Sequence, residues 1–117
     1  MQGTWEVMVT YQEGALRGQT DKTRVIFAPD HVFLMVFPAP GAGNWRYDHD
    51  TNTISFSFTE LLNHREDGTC TGYVRVVQNG LLSEDGNFTT SGQGAIYKMD
   101  GTHLSTTAAI TRGIRVE

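Results

Sequence analysis

Apolar and polar residues alternate from Thr4 to Tyr11, with Trp5, Val7, Val9 and Tyr11 on one face and Glu6, Met8 and Thr10 on the other. A period of two marks a half-buried strand and predicts β1 over 4–11. Turn residues then punctuate the chain at Glu13-Gly14, Ala28-Pro29-Asp30, Pro38 to Gly43, Asp50 to Asn52, Asp67-Gly68, Asp85-Gly86 and Asp100-Gly101. These residues accept positive φ or preset a turn, so the segments between them read as β2 over 16–27, β3 over 31–38, β4 over 43–48, β5 over 53–61, β6 over 69–82, β7 over 87–98 and β8 over 102–116. No segment shows the period of a helix.

Eight strands joined by short hairpins predict an all-β fold, an antiparallel up-and-down meander. Such a meander loses its unpaired edges only by closing into a barrel. A β-sandwich is the alternative, but it needs long crossovers for which the chain has few candidates. At 117 residues the chain is the size of one domain, taken as 1–117.

Closure places the start of β1 and the end of β8 on one rim, so Trp5 and Arg112 meet there. Arg112 either points inward over the indole as a structural plug or is a surface charge on a frayed last strand. Gly3-Thr4-Trp5 and Thr111-Arg112 resemble the Gly-X-Trp opening and last-strand Thr-Arg of the calycins, the superfamily of lipocalins and fatty-acid-binding proteins. The resemblance implies a lipocalin-like eight-stranded barrel with a central cavity, closed at the Trp5 end, with the β1–β2 loop guarding the other. The chain is shorter than a typical lipocalin and lacks the C-terminal helix and the Thr-Asp-Tyr motif. Gly113-Ile114 after Arg112 replaces the Arg-X-Tyr carboxylate clamp, so a fatty-acid ligand is not implied. The longer connections, 12–21, 38–43 and 61–69, fall on the open rim, where sites are usually built.

With Trp5 inward, Val7, Val9, Tyr11, Val25, Phe27, Trp45, Tyr47, Phe56 and Phe58 share the interior. For β3 the inward set is Leu34 and Val36, although Phe33, Met35 and Phe37 fit equally well. The facing wall is small: Gly72, Val74, Val76, Thr90, Gly92, Gly94 and Ile96, then Thr106 and Ala108 on β8. Its glycines either leave room for a ligand or relieve curvature. The expected ligand-binding residues are Tyr11, Phe27, Leu34, Val36, Trp45, Tyr47, Phe56, Phe58, Val76, Thr90 and Lys98.

Glu60 follows Phe56 and Phe58 on the same face, where apolar neighbours disfavour its charged form and suit it to acid or base work. Tyr11 and Tyr47 are candidate donors to a ligand carbonyl. Lys98 is a partner for Glu60 or for an anionic ligand, unless both it and Glu60 are simply solvated at the rim. The expected function is binding of a small hydrophobic or aromatic molecule, extended to a cofactor-free cyclase or isomerase with Glu60 and Tyr11 as catalytic groups. A non-catalytic carrier and a filled-barrel interaction subunit, contacting through β3 or the 38–43 loop, are the alternatives, and a homodimer is admitted.

Charge and composition narrow the partners. A formal net charge of −4 with nine scattered Lys and Arg residues gives no basic stripe for nucleic acid. The longest apolar run, Val32 to Phe37, is far short of the roughly 20 residues of a membrane helix. Cys70 is the only cysteine and no export signal opens the chain, which leads to the expectation of a cytoplasmic protein. His31, His49, His64 and His103 are scattered, and Asp48-His49-Asp50 alternates across a strand, so no metal or cofactor is expected. Cys70 and His64 flank one loop, but an idle thiol is the simpler reading of Cys70.

Overall fold

Four hairpins are closed by the same device, an aspartate carboxylate that accepts the backbone N–H two residues on. Asp48 accepts from Asp50 at 2.9 Å, Asp67 from Thr69 at 2.8 Å, Asp85 from Asn87 at 3.0 Å and Asp100 from Thr102 at 2.9 Å. In three of them the next residue, Gly68, Gly86 or Gly101, takes a φ of +72°, +88° or +91°, which a side chain would disfavour. The computed structural model describes residues 1–37, 39–63 and 67–116. Between the turns lie β1 Gly3–Tyr11, β2 Thr20–Ala28, β3 Val32–Phe37, β4 Gly41–Asp48, β5 Thr53–Asn63, β6 Cys70–Leu82, β7 Phe88–Lys98 and β8 His103–Arg115. Consecutive strands pair antiparallel and β8 returns to β1, giving a closed up-and-down barrel. The expected β2 start at residue 16 falls in a 3-10 turn, Gly14–Leu16.

Aromatic rings fill the rim formed by the start of β1 and the end of β2. Phe27, fully buried, takes edge-on contacts from Trp5, Phe33, Trp45, Phe56 and Phe88, with ring centres 5.1, 5.2, 5.8, 5.7 and 5.8 Å away. Edge-to-face pairs at this spacing are favourable beyond their buried area. Both indoles spend their N–H on this rim: Trp5 donates to the Gly86 carbonyl at 2.8 Å and Trp45 to the Ala28 carbonyl at 2.9 Å. This end is a solid floor.

The floor corrects two strand phases. On β8, Arg112 is exposed and lies opposite Met8 and Thr89, so it does not cover Trp5. Arg115 does, with its guanidinium 4.9 Å from the indole centre and donating to the Gln2 carbonyl at 2.7 Å. The inward set is Thr107, Ala109, Thr111 and Gly113, while Thr106 faces out. The reason is volume: a methyl group at Gly113 would overlap the Phe88 ring, so the smaller face of β8 must turn inward. On β3, Phe33 and Met35 are buried, whereas Leu34 is on the outer face and Val36 is 50% exposed. Arg24 pairs with Phe37 and Val25 with Met35, which leaves Val36 as the extra residue of a bulge. The side chain of Phe37 lies outside the described set.

The interior glycines divide between the two roles expected of them. Added methyl groups at Gly43, Gly80 and Gly92 would strike the backbone of the neighbouring strand, so these positions are corners where strands close in on one another. Gly94 faces only the methyls of Val74 and Val76, at 3.4 and 3.7 Å. Accordingly, Gly92→Ala should lower stability by roughly 1–3 kcal/mol in urea unfolding, while Gly94→Ala should stay within about 0.5 kcal/mol. Arg115→Ala should cost about 1 kcal/mol in the same measurement and Arg112→Ala almost nothing.

Candidate functional site

Above the floor the interior stays open. A cavity of about 290 Å³ occupies the half of the barrel towards the ends of β1, β3, β5 and β7. Its walls are Val7 and Val9 of β1, Val25 of β2, Phe33 and Met35 of β3, Phe56 and Phe58 of β5, Val74 and Val76 of β6, and Ile96 of β7. Leu16, from the turn between β1 and β2, reaches the lining at the mouth. A wider depression of about 790 Å³ runs along the outside of β4, β5 and β6, but it is a shallow groove. The cavity volume lies near the lower end of the range typical of small-molecule sites.

Polar groups sit at the two ends of this space. At the mouth, the Tyr11 hydroxyl donates to Asp21 Oδ2 at 2.8 Å, and Glu60 lines the same opening. Burial pushes the Tyr11 phenol well above its ordinary value, and its hydrogen bond to Asp21 and the charges of Asp21 and Glu60 add to the shift. Glu60 is raised too, first by burial and then by the negative charge of Asp21.

The deeper end carries a buried network. Gln78 Nε2 donates to the Ala109 carbonyl at 3.3 Å, and its Oε1 accepts from the Thr90 hydroxyl at 2.8 Å. Thr90 and Thr111 share a further hydroxyl contact. Thr90 has one proton and gives it to Gln78, so Thr111 is the donor in that contact and keeps a lone pair free. Gln78 and Thr111 both line the cavity. Because Phe56 pairs with Gln78 and Glu60 with Val74, the two polar ends are four residues apart along β6, roughly 13 Å.

The cavity thus unites Tyr11, Glu60, Phe56, Phe58 and Val76 from the expected site. Phe27 and Trp45 belong to the floor instead, because their rings fill it. Tyr47 is near the closed rim and donates to Asn52 Oδ1 at 2.9 Å, so it does not meet a ligand in the cavity. Thr90 lies beneath the lining and acts through Gln78. Leu34 and Val36 are on the outer face of β3. Lys98 is exposed at the β7–β8 hairpin, just past a register shift at Ile96 and Tyr97, where its ammonium keeps its water. Tyr11 is no donor to a ligand, since its proton is committed to Asp21. Asp21, Thr23, Gln78, Thr107 and Thr111 complete the polar lining. Asp21 has the parity of Val25 and Phe27, and Gln78 that of Val74 and Val76, so extending those alternations would have found both.

Cys70 donates weakly to the Gly72 carbonyl at 3.3 Å, and His64 lies outside the described residues. Among the described residues no group of three His, Cys, Asp or Glu side chains is placed to hold a metal ion. No helix among them is long and apolar enough to cross a membrane. Comparison of the chain with models of protein families, with curated proteins and with solved structures finds no match.

The raised position of Glu60 has a thermodynamic sign. The folded state holds the Glu60 proton to higher pH than the unfolded chain, so stability falls as pH rises from the ordinary glutamate value through the raised one. Glu60→Gln should therefore melt above wild type at about pH 8, and the two should converge at about pH 4. Thermal unfolding followed by circular dichroism at both pH values checks this.

Proposed function

We propose that this protein binds a small, mainly apolar molecule inside the barrel, as a divergent calycin-like binding protein. The observation that carries the proposal is the cavity of about 290 Å³ inside the barrel, mainly apolar along its walls and with its ionisable groups at the mouth. Burying an apolar ligand there removes hydrocarbon from water on both sides of the contact, which gains roughly 25 cal/mol per Å² before the costs of association. A barrel used only as a filled interaction subunit would not retain this volume. The calycin reading draws support from the strand order and from an N-terminal tryptophan that caps the floor under an arginine of the last strand, here Arg115 in place of Arg112.

Glu60 favours a second, catalytic reading. A carboxyl group raised by burial beside the cavity holds its proton more tightly than an exposed one and can pass it to and from a bound substrate, as a cofactor-free isomerase or cyclase requires. In that reading Tyr11 orients the substrate as an acceptor, and the proton transfer belongs to Glu60 alone.

Fluorescence enhancement of N-phenylnaphthylamine, an uncharged apolar dye, tests occupancy of the cavity. Wild type should bind it, and Val76→Trp, which fills the middle of the cavity, should bind at least about tenfold more weakly with an unchanged circular dichroism spectrum. Gly94→Leu is the second filling variant if Val76→Trp does not fold. Equal dye binding by wild type and a folded, filled variant would overturn the proposal, as would no binding by wild type.

A further inference from the structure

Among the described residues, the mouth of the cavity is rich in acceptors and poor in donors. Tyr11 has given its one phenolic proton to Asp21, so its oxygen has only lone pairs left to offer. Asp21 offers carboxylate oxygens, and Glu60 a second carboxyl group across the opening. Among the described residues no lysine or arginine lines the cavity. Lys22 and Arg24, the basic residues nearest along β2, are on its outer face and held by Glu6 at 3.5 and 2.9 Å.

We infer that the ligand is a hydrophobic amine, its apolar body in the cavity and its protonated nitrogen at the mouth between Asp21, Tyr11 and Glu60. This rests on the binding function proposed above and names its ligand class. An anionic headgroup would enter a field already negative enough for one carboxyl group to disfavour charge on the other. Among the described residues at the mouth, a carbonyl would depend on a protonated Glu60 for a side-chain donor, and leaving a polar group unpaired there is costly. An ammonium group reverses both terms: each N–H meets an acceptor, and its charge relieves the repulsion between the two carboxyl groups. Its position at the opening lets the nitrogen keep part of its hydration while the hydrocarbon is buried. The aromatic ring of Tyr11 adds a face that attracts cations.

Displacement of bound N-phenylnaphthylamine by phenylbutylamine, phenylbutanol and phenylbutyrate at neutral pH separates the headgroup from the body, because the three share one hydrocarbon. The amine should displace the dye at about tenfold lower concentration than the alcohol, and the carboxylate should be the weakest. In the double variant Asp21→Asn, Glu60→Gln the ratio of amine to alcohol potency should fall to near one; the ratio is internal to each protein and so is insensitive to changes in overall affinity. If the double variant does not fold, Asp21→Asn alone should reduce the ratio. A carboxylate that competes as well as the amine overturns the inference, as does an amine advantage that survives the substitutions. Failure of all three to displace a dye that is bound overturns the amine class while the cavity function stands; absence of dye binding to wild type overturns both.

Discussion

The barrel depends on one ring. Phe27 is the hub against which Trp5, Phe33, Trp45, Phe56 and Phe88 set their edges or faces, and these residues come from β1, β3, β4, β5 and β7. Because such pairs fix angle as well as distance, the hub ties most of the strands to one another through the interior, beyond the backbone ladder around the wall. It also divides the molecule. One half is packed with aromatic carbon, and in the other the inward side chains line the cavity without filling it.

Filling one end determines what the opposite strands can carry. The rings project from β1 to β5 and from the start of β7, so the end of β8 that faces Phe88 has room only for Gly113, and the small face that carries it, with Thr107, Ala109 and Thr111, turns inward. Two hydroxyls and a carboxamide placed at this depth must satisfy one another, and Gln78, Thr90 and Thr111 do so across three adjacent strands. No buried side-chain nitrogen or oxygen among the described residues lacks a partner. A network satisfied in this way favours one register of β6, β7 and β8, since a slip of two residues, which keeps each face, would bury the same groups unpaired.

The strand order was legible in the sequence because its signals are local. Asp-Gly turns and a period of two need no knowledge of what lies across the barrel, and they placed all eight strands in order. Orientation was legible where the two faces of a strand differ clearly, as on β1 and β5, which is why Tyr11 and Glu60 could be named. It failed where they do not. Both faces of β3 are apolar, and a bulge at Val36 then displaces the alternation. On β8 the outer face carries Leu104, Ile110 and Ile114, more apolar than the inner one, so hydrophobicity points the wrong way and only the volume of Phe88 decides. Asp21 was missed because the start of β2, from Thr20 to Arg24, is polar on both faces. The commitment of the Tyr11 proton depends on a cross-strand contact that no single segment encodes.

Both tryptophans of the chain are in the floor, and none lines the cavity. Their intrinsic emission therefore reports the integrity of the aromatic packing. The chain carries its own optical sensor of folding at one pole, set apart from the acidic mouth at the other.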